Sequence, residues 1–166
     1  MSTLAPELTV ELADYGDPRD AAELVMLLDA YASDPMGGGT PLGRETREAV
    51  VPGLAAAPGA FSLIARLEGE PVGLVNCFTG FSTFSAQPLV NVHDLGVLPG
   101  YRGRGVGRAL LRAVEDEAQQ RGASKITLEV LSGNERAKAL YLALGYGDYQ
   151  LDTAAGHALL WQKILA

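Results

Sequence analysis

Between Leu89 and Ala118 an apolar strand runs, without a linker, into a glycine-rich turn that opens an amphipathic helix. The strand reads Leu89 to Leu98 and is closed by Pro99-Gly100; the turn is Tyr101-Arg102-Gly103-Arg104-Gly105-Val106-Gly107. Val106, Ala109, Leu110, Ala113, Val114 and Ala118 follow at helical spacing. The glycines let backbone approach a ligand closely. The first helical turn leaves N–H groups unpaired and presents the positive end of the macrodipole. Together these features describe a phosphate or pyrophosphate site, to which Arg102, Arg104 and Arg108 add charge. A P-loop is excluded because no lysine lies in the turn. A dinucleotide fingerprint is excluded by spacing: counted from Gly103 its third glycine position holds Arg108, and from Gly105 it holds Leu110.

The rest of the chain supplies a frame for that junction. Leu8 to Leu12 alternates as a half-buried strand. Asp17-Pro18 starts a helix that ends near Ser33-Asp34-Pro35, and Thr40-Pro41 restarts one that runs toward Pro58. Phe61 to Leu67 and Val72 to Phe78 form a hairpin across Glu68-Gly69-Glu70. After the glycine turn and its helix, Lys125 to Leu131 reads as a strand and Asn134 to Leu144 as a short helix stopped by Gly145. Two last strands are expected around Tyr149-Leu151 and Ala158-Ile164. The order predicts one α+β domain over residues 1–166, with a mixed sheet that is parallel at the strand-helix-strand unit.

Charge and cysteine content narrow the partners. Twenty acidic against thirteen basic residues give a formal charge of −7, which argues against nucleic acid or an anionic membrane surface. One cysteine, Cys77, excludes an internal disulfide, and with two histidines no zinc cage is available, so no metal is expected. No apolar run approaches the roughly 20 residues of a span, and Met1 to Tyr15 lacks the pattern of a secretory signal. A cytoplasmic location follows as the expectation. Residues 1–70 carry twelve acids and four arginines, a net of −8, whereas residues 71–166 are at +1.

Arg102-x-x-Gly105-x-Gly107 resembles the acetyl-CoA signature of the GNAT superfamily of N-acetyltransferases, Gln/Arg-x-x-Gly-x-Gly/Ala. The preceding strand, the following helix, the Lys125 strand and the Asn134…Tyr141…Gly145-Tyr146 helix stand where that family has them. Asp34-Pro35-Met36-Gly37-Gly38-Gly39 and Phe81-Ser82-Thr83-Phe84 look like features of a bacterial-type branch. The resemblance implies a largely antiparallel sheet with a splayed central strand and helices on both faces. It implies acetyl-CoA as cosubstrate, with its pyrophosphate on the backbone of Arg102, Gly103, Arg104, Gly105, Val106 and Gly107, near Arg108. It implies that the main chain of Leu95, Gly96 and Val97 binds the pantetheine arm and polarises the thioester, as an oxyanion hole does. Tyr141 matches the family tyrosine that protonates the leaving thiolate, and Asn134 reads both as a CoA contact and as an N-cap. A homodimer built through C-terminal strands is a further implication.

Three residues compete for the base that deprotonates the amine. His93 stands where relatives acting on polyamines place a carboxylate, and an imidazole is a competent substitute. By alternation His93 shares a face with Asn91, Leu95 and Val97, while Asp94 points to the opposite face unless the strand is bulged. Glu129 on the next strand is the third candidate. The acceptor side is expected from Tyr31, Asp34 and Met36 in the loop between the first helices, with Phe81 and Phe84. His157 and Trp161 read as packing or interface residues, and Cys77 as a buried apolar residue. The expected activity is acetyl transfer to a small primary amine, probed as cationic by the acidic N-terminal region. The alternatives are acetylation of a protein or peptide, and a CoA-binding regulatory module without turnover.

Overall fold

The computed structural model describes residues 7–149, 154 and 156–165. The chain divides into two compact units, one ending at Leu128 and one beginning at Glu129. In the first, β1 (Leu8–Leu12), α1 (Pro18–Ser33), α2 (Arg44–Ala56), β2 (Ala60–Leu67), β3 (Glu70–Ser82), β4 (Gln87–Val97), α3 (Val106–Gln120) and β5 (Ile126–Leu128) follow in order. In the second, α4 spans Glu135–Ala143. The five strands form one sheet in sequential order, antiparallel from β1 to β4 and parallel between β4 and β5. That is the mixed sheet expected from the element order, and largely antiparallel as the family resemblance implies.

Local chemistry sets the helix ends. Asp17 caps α1 by accepting from the N–H groups of Arg19 and Asp20, with Pro18 in the first turn. Helix α2 begins at Arg44, later than the expected Thr40-Pro41. The intervening backbone is already tied to α1: Thr40 N–H donates to the Ala32 carbonyl at 3.1 Å, and Leu42 N–H to Asp29 Oδ1 at 2.7 Å.

The sheet is covered on both faces. Leu24 and Leu27 of α1 and Val51 of α2 pack with Ile64 and Leu74 of the sheet. Val106, Leu110, Leu111, Val114 and Ala118 form the buried stripe of α3 that the helical spacing anticipates. Each large side chain so buried contributes on the order of 1.5–3 kcal/mol, so the two apolar faces fix β3 and β4 firmly between them.

Two strand assignments made from sequence need correction. The Lys125–Leu131 strand is confined to Ile126–Leu128, paired with Val90 to Val92. Its ladder stops where β4 departs from regular pairing. Residues Ala158–Ile164 form no strand among the described residues. Leu159, Leu160, Trp161 and Ile164 are each more than 70% exposed, so β-forming composition is present without a partner edge. Tyr149 is not in a strand, and Gln150-Leu151 lie outside the described residues.

Candidate active site

The departure in β4 is a β-bulge. Cys77 of β3 pairs with Val92 while Asn76 pairs with Asp94, so His93 is the extra residue. The His93 ring meets Phe78 edge-on at 5.5 Å between centroids, and Asp94 Oδ2 accepts from Asn76 Nδ2 at 3.0 Å. Phe78 and Asn76 are two residues apart on β3 and share a face. His93 and Asp94 therefore lie on one face, not on opposite ones. The expected company of His93 changes as well: Asn91 pairs with Phe78 and stays with it, whereas Leu95 and Val97 pair with Val75 and Gly73 on the other face.

Beyond the bulge, β4 has a strand neighbour on one side only among the described residues. The β5 ladder ends at Val92, while β3 continues opposite Asp94 through Val97. Leu98 N–H donates to the Val72 carbonyl. By the two-residue period of an antiparallel ladder, Gly96 and Asp94 also direct their backbone toward β3. Leu95 and Val97 then direct theirs to the open edge. Gly96 is required by α1: a Cβ there would stand 3.0 Å from Tyr31 Cβ and 3.2 Å from Leu74 Cδ2.

The turn after β4 presents the N-terminus of α3 uncovered. Gly105 is its N-cap in the left-handed conformation, at φ 83°, and no side chain caps the helix. A Cβ built at Gly103 or Gly105 would meet no atom within 4 Å, so the glycines answer to backbone conformation and access instead of packing. Gly103, Arg104 and Gly105 are exposed, and the Arg104 guanidinium lies over the Tyr101 ring at 5.5 Å. The opening N–H groups and the adjacent arginines suit a pyrophosphate, and the open edge of β4 suits an amide-bearing arm; the residues fit acetyl-CoA on both counts.

Arg102 faces inward. Its Nε donates to the Val97 carbonyl at 2.9 Å and its Nη2 to Asp34 Oδ2 at 2.6 Å. Asp34 closes α1 and also accepts from Met36 N–H. Its carboxylate thus ties the loop after α1 to the glycine turn. Tyr31, one turn earlier, is half-buried. Burial pushes its phenol above the ordinary value, and the negative charges of Asp94 and Asp34 add to the rise. Met36 is partly exposed, and Phe81 and Phe84 project into solvent at the β3–β4 turn. An open groove of about 690 Å³ runs between α1 and α2, bordered by Tyr15, Val25, Met26, Asp29 and Arg47.

In the second unit Asn134 is the N-cap of α4, accepting from Ala137 N–H at 3.2 Å. Tyr141 is partly buried, its ring 6.0 Å from that of Tyr146. Glu129 is exposed. Cys77 is fully buried, and burial pushes its thiol up to about 12, which removes it as a nucleophile. Among the described residues no group of His, Cys, Asp and Glu side chains is arranged to hold a metal. No helix among the described residues is long and apolar enough to cross a membrane.

The profile of the acetyltransferase (GNAT) family matches residues 24–146. The chain belongs to this family. Among relatives of the GNAT domain, it is 37% identical over 98 residues to an uncharacterized N-acetyltransferase, YhfO, of Bacillus subtilis, across 59% of this chain and 64% of that protein. It is 40% identical over 86 residues to streptothricin acetyltransferase of Streptomyces lavendulae, across 50% of this chain and 46% of that one. The matches thus span about half to two thirds of these relatives' length. An aminoglycoside N-acetyltransferase solved in complex with CoA shares the GNAT fold at a TM-score of 0.73 and 16% identity, covering 98% of this chain and 99% of that one.

Sequence reasoning passed over Asn76, Ser62 and Tyr15, which stand behind Asp94. Part of their signal was there: Asn76 is the lone polar residue inside Val72–Phe78, and Ser62 is, with Arg66, one of two inside Phe61–Leu67.

Proposed function

We propose that this chain transfers an acetyl group from acetyl-CoA to the primary amine of a small molecule. The observation that carries the reading is the junction of β4 and α3. There an open strand edge, an uncapped helix N-terminus flanked by arginines, and two proton-accepting side chains on a bulge occur within a single stretch from His93 to Arg108. Relatives named for streptothricin and thialysine, and a structural neighbour named for aminoglycosides, support a small amine as acceptor.

Acetyl-CoA supplies a thioester whose carbonyl carbon forms a bond to the amine nitrogen as its C–S bond breaks. Leu95 and Val97 main chain at the open edge hold the arm and face the carbonyl oxygen. The backbone of Arg102 to Gly107, with Arg104 and Arg108, holds the pyrophosphate. His93 or Asp94 takes a proton from the ammonium group, leaving the nitrogen lone pair free to attack. Tyr141 gives its phenolic proton to the departing sulfur, and the second proton that nitrogen sheds as the amide forms restores the phenol through solvent. Transfer is direct, since the one thiol in the chain is buried. Tyr31, Asp34, Met36, Phe81 and Phe84 border the acceptor side, and the excess of acids in residues 1–70 favours a cationic acceptor. A homodimer and a cytoplasmic location complete the reading; the exposed apolar side chains of residues 159–165 support the dimer.

The test is release of CoA thiol from acetyl-CoA across a panel of polyamines, aminoglycosides, amino acids and peptides. Release with small amines is expected, with KM for a cationic acceptor rising about threefold from 0.05 to 0.5 M salt as charges are screened. Release with peptides alone would replace the small amine by a protein acceptor. CoA binding without release from any acceptor would leave a binding module.

A further inference from the structure

A hydrogen-bonded chain crosses three strands on the α1 side of the sheet. Tyr15 Oη lies 2.9 Å from Ser62 Oγ. Ser62 Oγ donates to Asn76 Oδ1 at 2.6 Å, and Asn76 Nδ2 donates to Asp94 Oδ2 at 3.0 Å. The last three residues are direct neighbours in register, Ser62 opposite Asn76 and Asn76 opposite Asp94. Ser62 and Asn76 are 1% and 2% exposed.

The chain has one direction. A hydroxyl has a single hydrogen; that of Ser62 goes to the Asn76 carbonyl, which has none to return. Tyr15 must then donate to Ser62. Burial raises the Tyr15 phenol above its ordinary value, against the smaller opposing effect of the Ser62 hydrogen bond, so the hydrogen is retained. The Asn76 amide cannot be turned over, because its carbonyl would then oppose the Asp94 carboxylate. Every donor points toward Asp94, and aligned donors reinforce one another. Asp94 Oδ1 takes no hydrogen bond from any described residue. The ionisable groups around Asp94 are Tyr31 from α1, its neighbour His93 on the bulge, and Cys77 of β3 on the other face of the sheet.

We propose that Asn76, backed by Ser62 and Tyr15, is the positioning residue for Asp94 as the base. It holds Oδ2 and presents Oδ1 to the acceptor. The N–H bond of the ammonium breaks, its proton passes to Oδ1, and the electron pair stays on nitrogen. This inference rests on the transferase reading and selects Asp94 over His93 within it.

The experiment compares wild type, Asn76→Leu and Tyr15→Phe in steady-state CoA release at pH 7 and pH 9.5, with the alkylamine acceptor that the panel above selects. Thermal midpoints are recorded for all three. Asn76→Leu is expected to lower kcat at pH 7 by about tenfold or more, with KM for acetyl-CoA within about twofold. At pH 9.5, where solvent supplies more neutral amine, the deficit shrinks to about threefold or less. Tyr15→Phe shows the same pattern at about a twofold loss, and carries the test alone if Asn76→Leu does not fold. A deficit that is the same at both pH values, a matching rise in KM for acetyl-CoA, or wild-type rates in the folded variants would overturn the proposal alone. Absence of CoA release by wild type with every acceptor would overturn the transferase reading and this inference with it.

Discussion

Two polar clusters sit on the α1 side of the sheet, and they differ in whether they close. In the first, the Arg66 guanidinium uses all three nitrogens, reaching Glu23, Glu11 and Asp20 at 2.6–3.0 Å. Both oxygens of Glu23 are taken, one by Arg19 and one by Arg66. Both oxygens of Asp20 are taken too, by Arg66 and by Asp14 N–H. The second cluster, Tyr15 to Asp94, is satisfied along its length and stops at a carboxylate with one oxygen to spare. A closed cluster pins β1, α1 and β2 together. An open one offers an acceptor to something from outside. The first cluster meets solvent at Glu11, whose side chain is exposed, whereas the unspent oxygen of the second belongs to Asp94, partly buried on the face of the sheet.

The largest expected effect tests the open end. Asp94→Asn keeps an oxygen for Asn76 to donate to but takes no proton. CoA release is expected to fall by about 10²–10⁴-fold, with a thermal midpoint near that of wild type. A loss of less than about tenfold would shift the base to His93. Next in size is the closed cluster. Arg66→Met leaves Asp20 without its cation and Glu23 with Arg19 alone, and unfolding in urea should show a loss of about 3 kcal/mol. Turnover per folded molecule should stay within about twofold. A large loss of turnover at full stability would erase the contrast between the clusters.

The smallest effect comes from the other face of β3. Below pH 9 the Cys77 thiol is protonated in folded and unfolded chains alike. Between 9.0 and about 12 only the unfolded chain releases the proton. Stability is therefore fully present below pH 9 and falls as pH rises, by about 1.4 kcal/mol per unit from this group. Denaturant unfolding at pH 8, 9 and 10 should show the onset of that loss, about 1.4 kcal/mol in all across the two units, and Cys77→Ala should lessen it. An equal slope in the variant would place the alkaline loss elsewhere, Tyr15 and Tyr31 being the raised phenols on the opposite side.

Much of the fold was legible because local signals were strong. Asp17-Pro18 marks the start of α1, and the apolar stripe from Val106 to Ala118 marks α3. The glycine turn was legible for the same reason, since Gly103 and Gly105 both take positive φ. What failed depended on pairing across strands. Alternation around His93 assumes an even count, and a bulge is fixed by the partner strand, so Asn76 opposite Asp94 is invisible in either segment alone. Asp34 and Arg102 were read as separate contacts to two ligands. They are 68 positions apart in sequence and meet as an ion pair of 2.6 Å. The C-terminal apolar stretch illustrates the reverse: composition favours a strand, yet a strand exists only where another edge accepts it.

The bulge has one more consequence. Val92 opposes Cys77 and Asp94 opposes Asn76 with His93 left over, so the ladder would read the same with that residue removed. Position 93 carries no part of the sheet's register. A substitution there changes the side chain on that face of the sheet while the strand, the glycine turn and the helix stay in step.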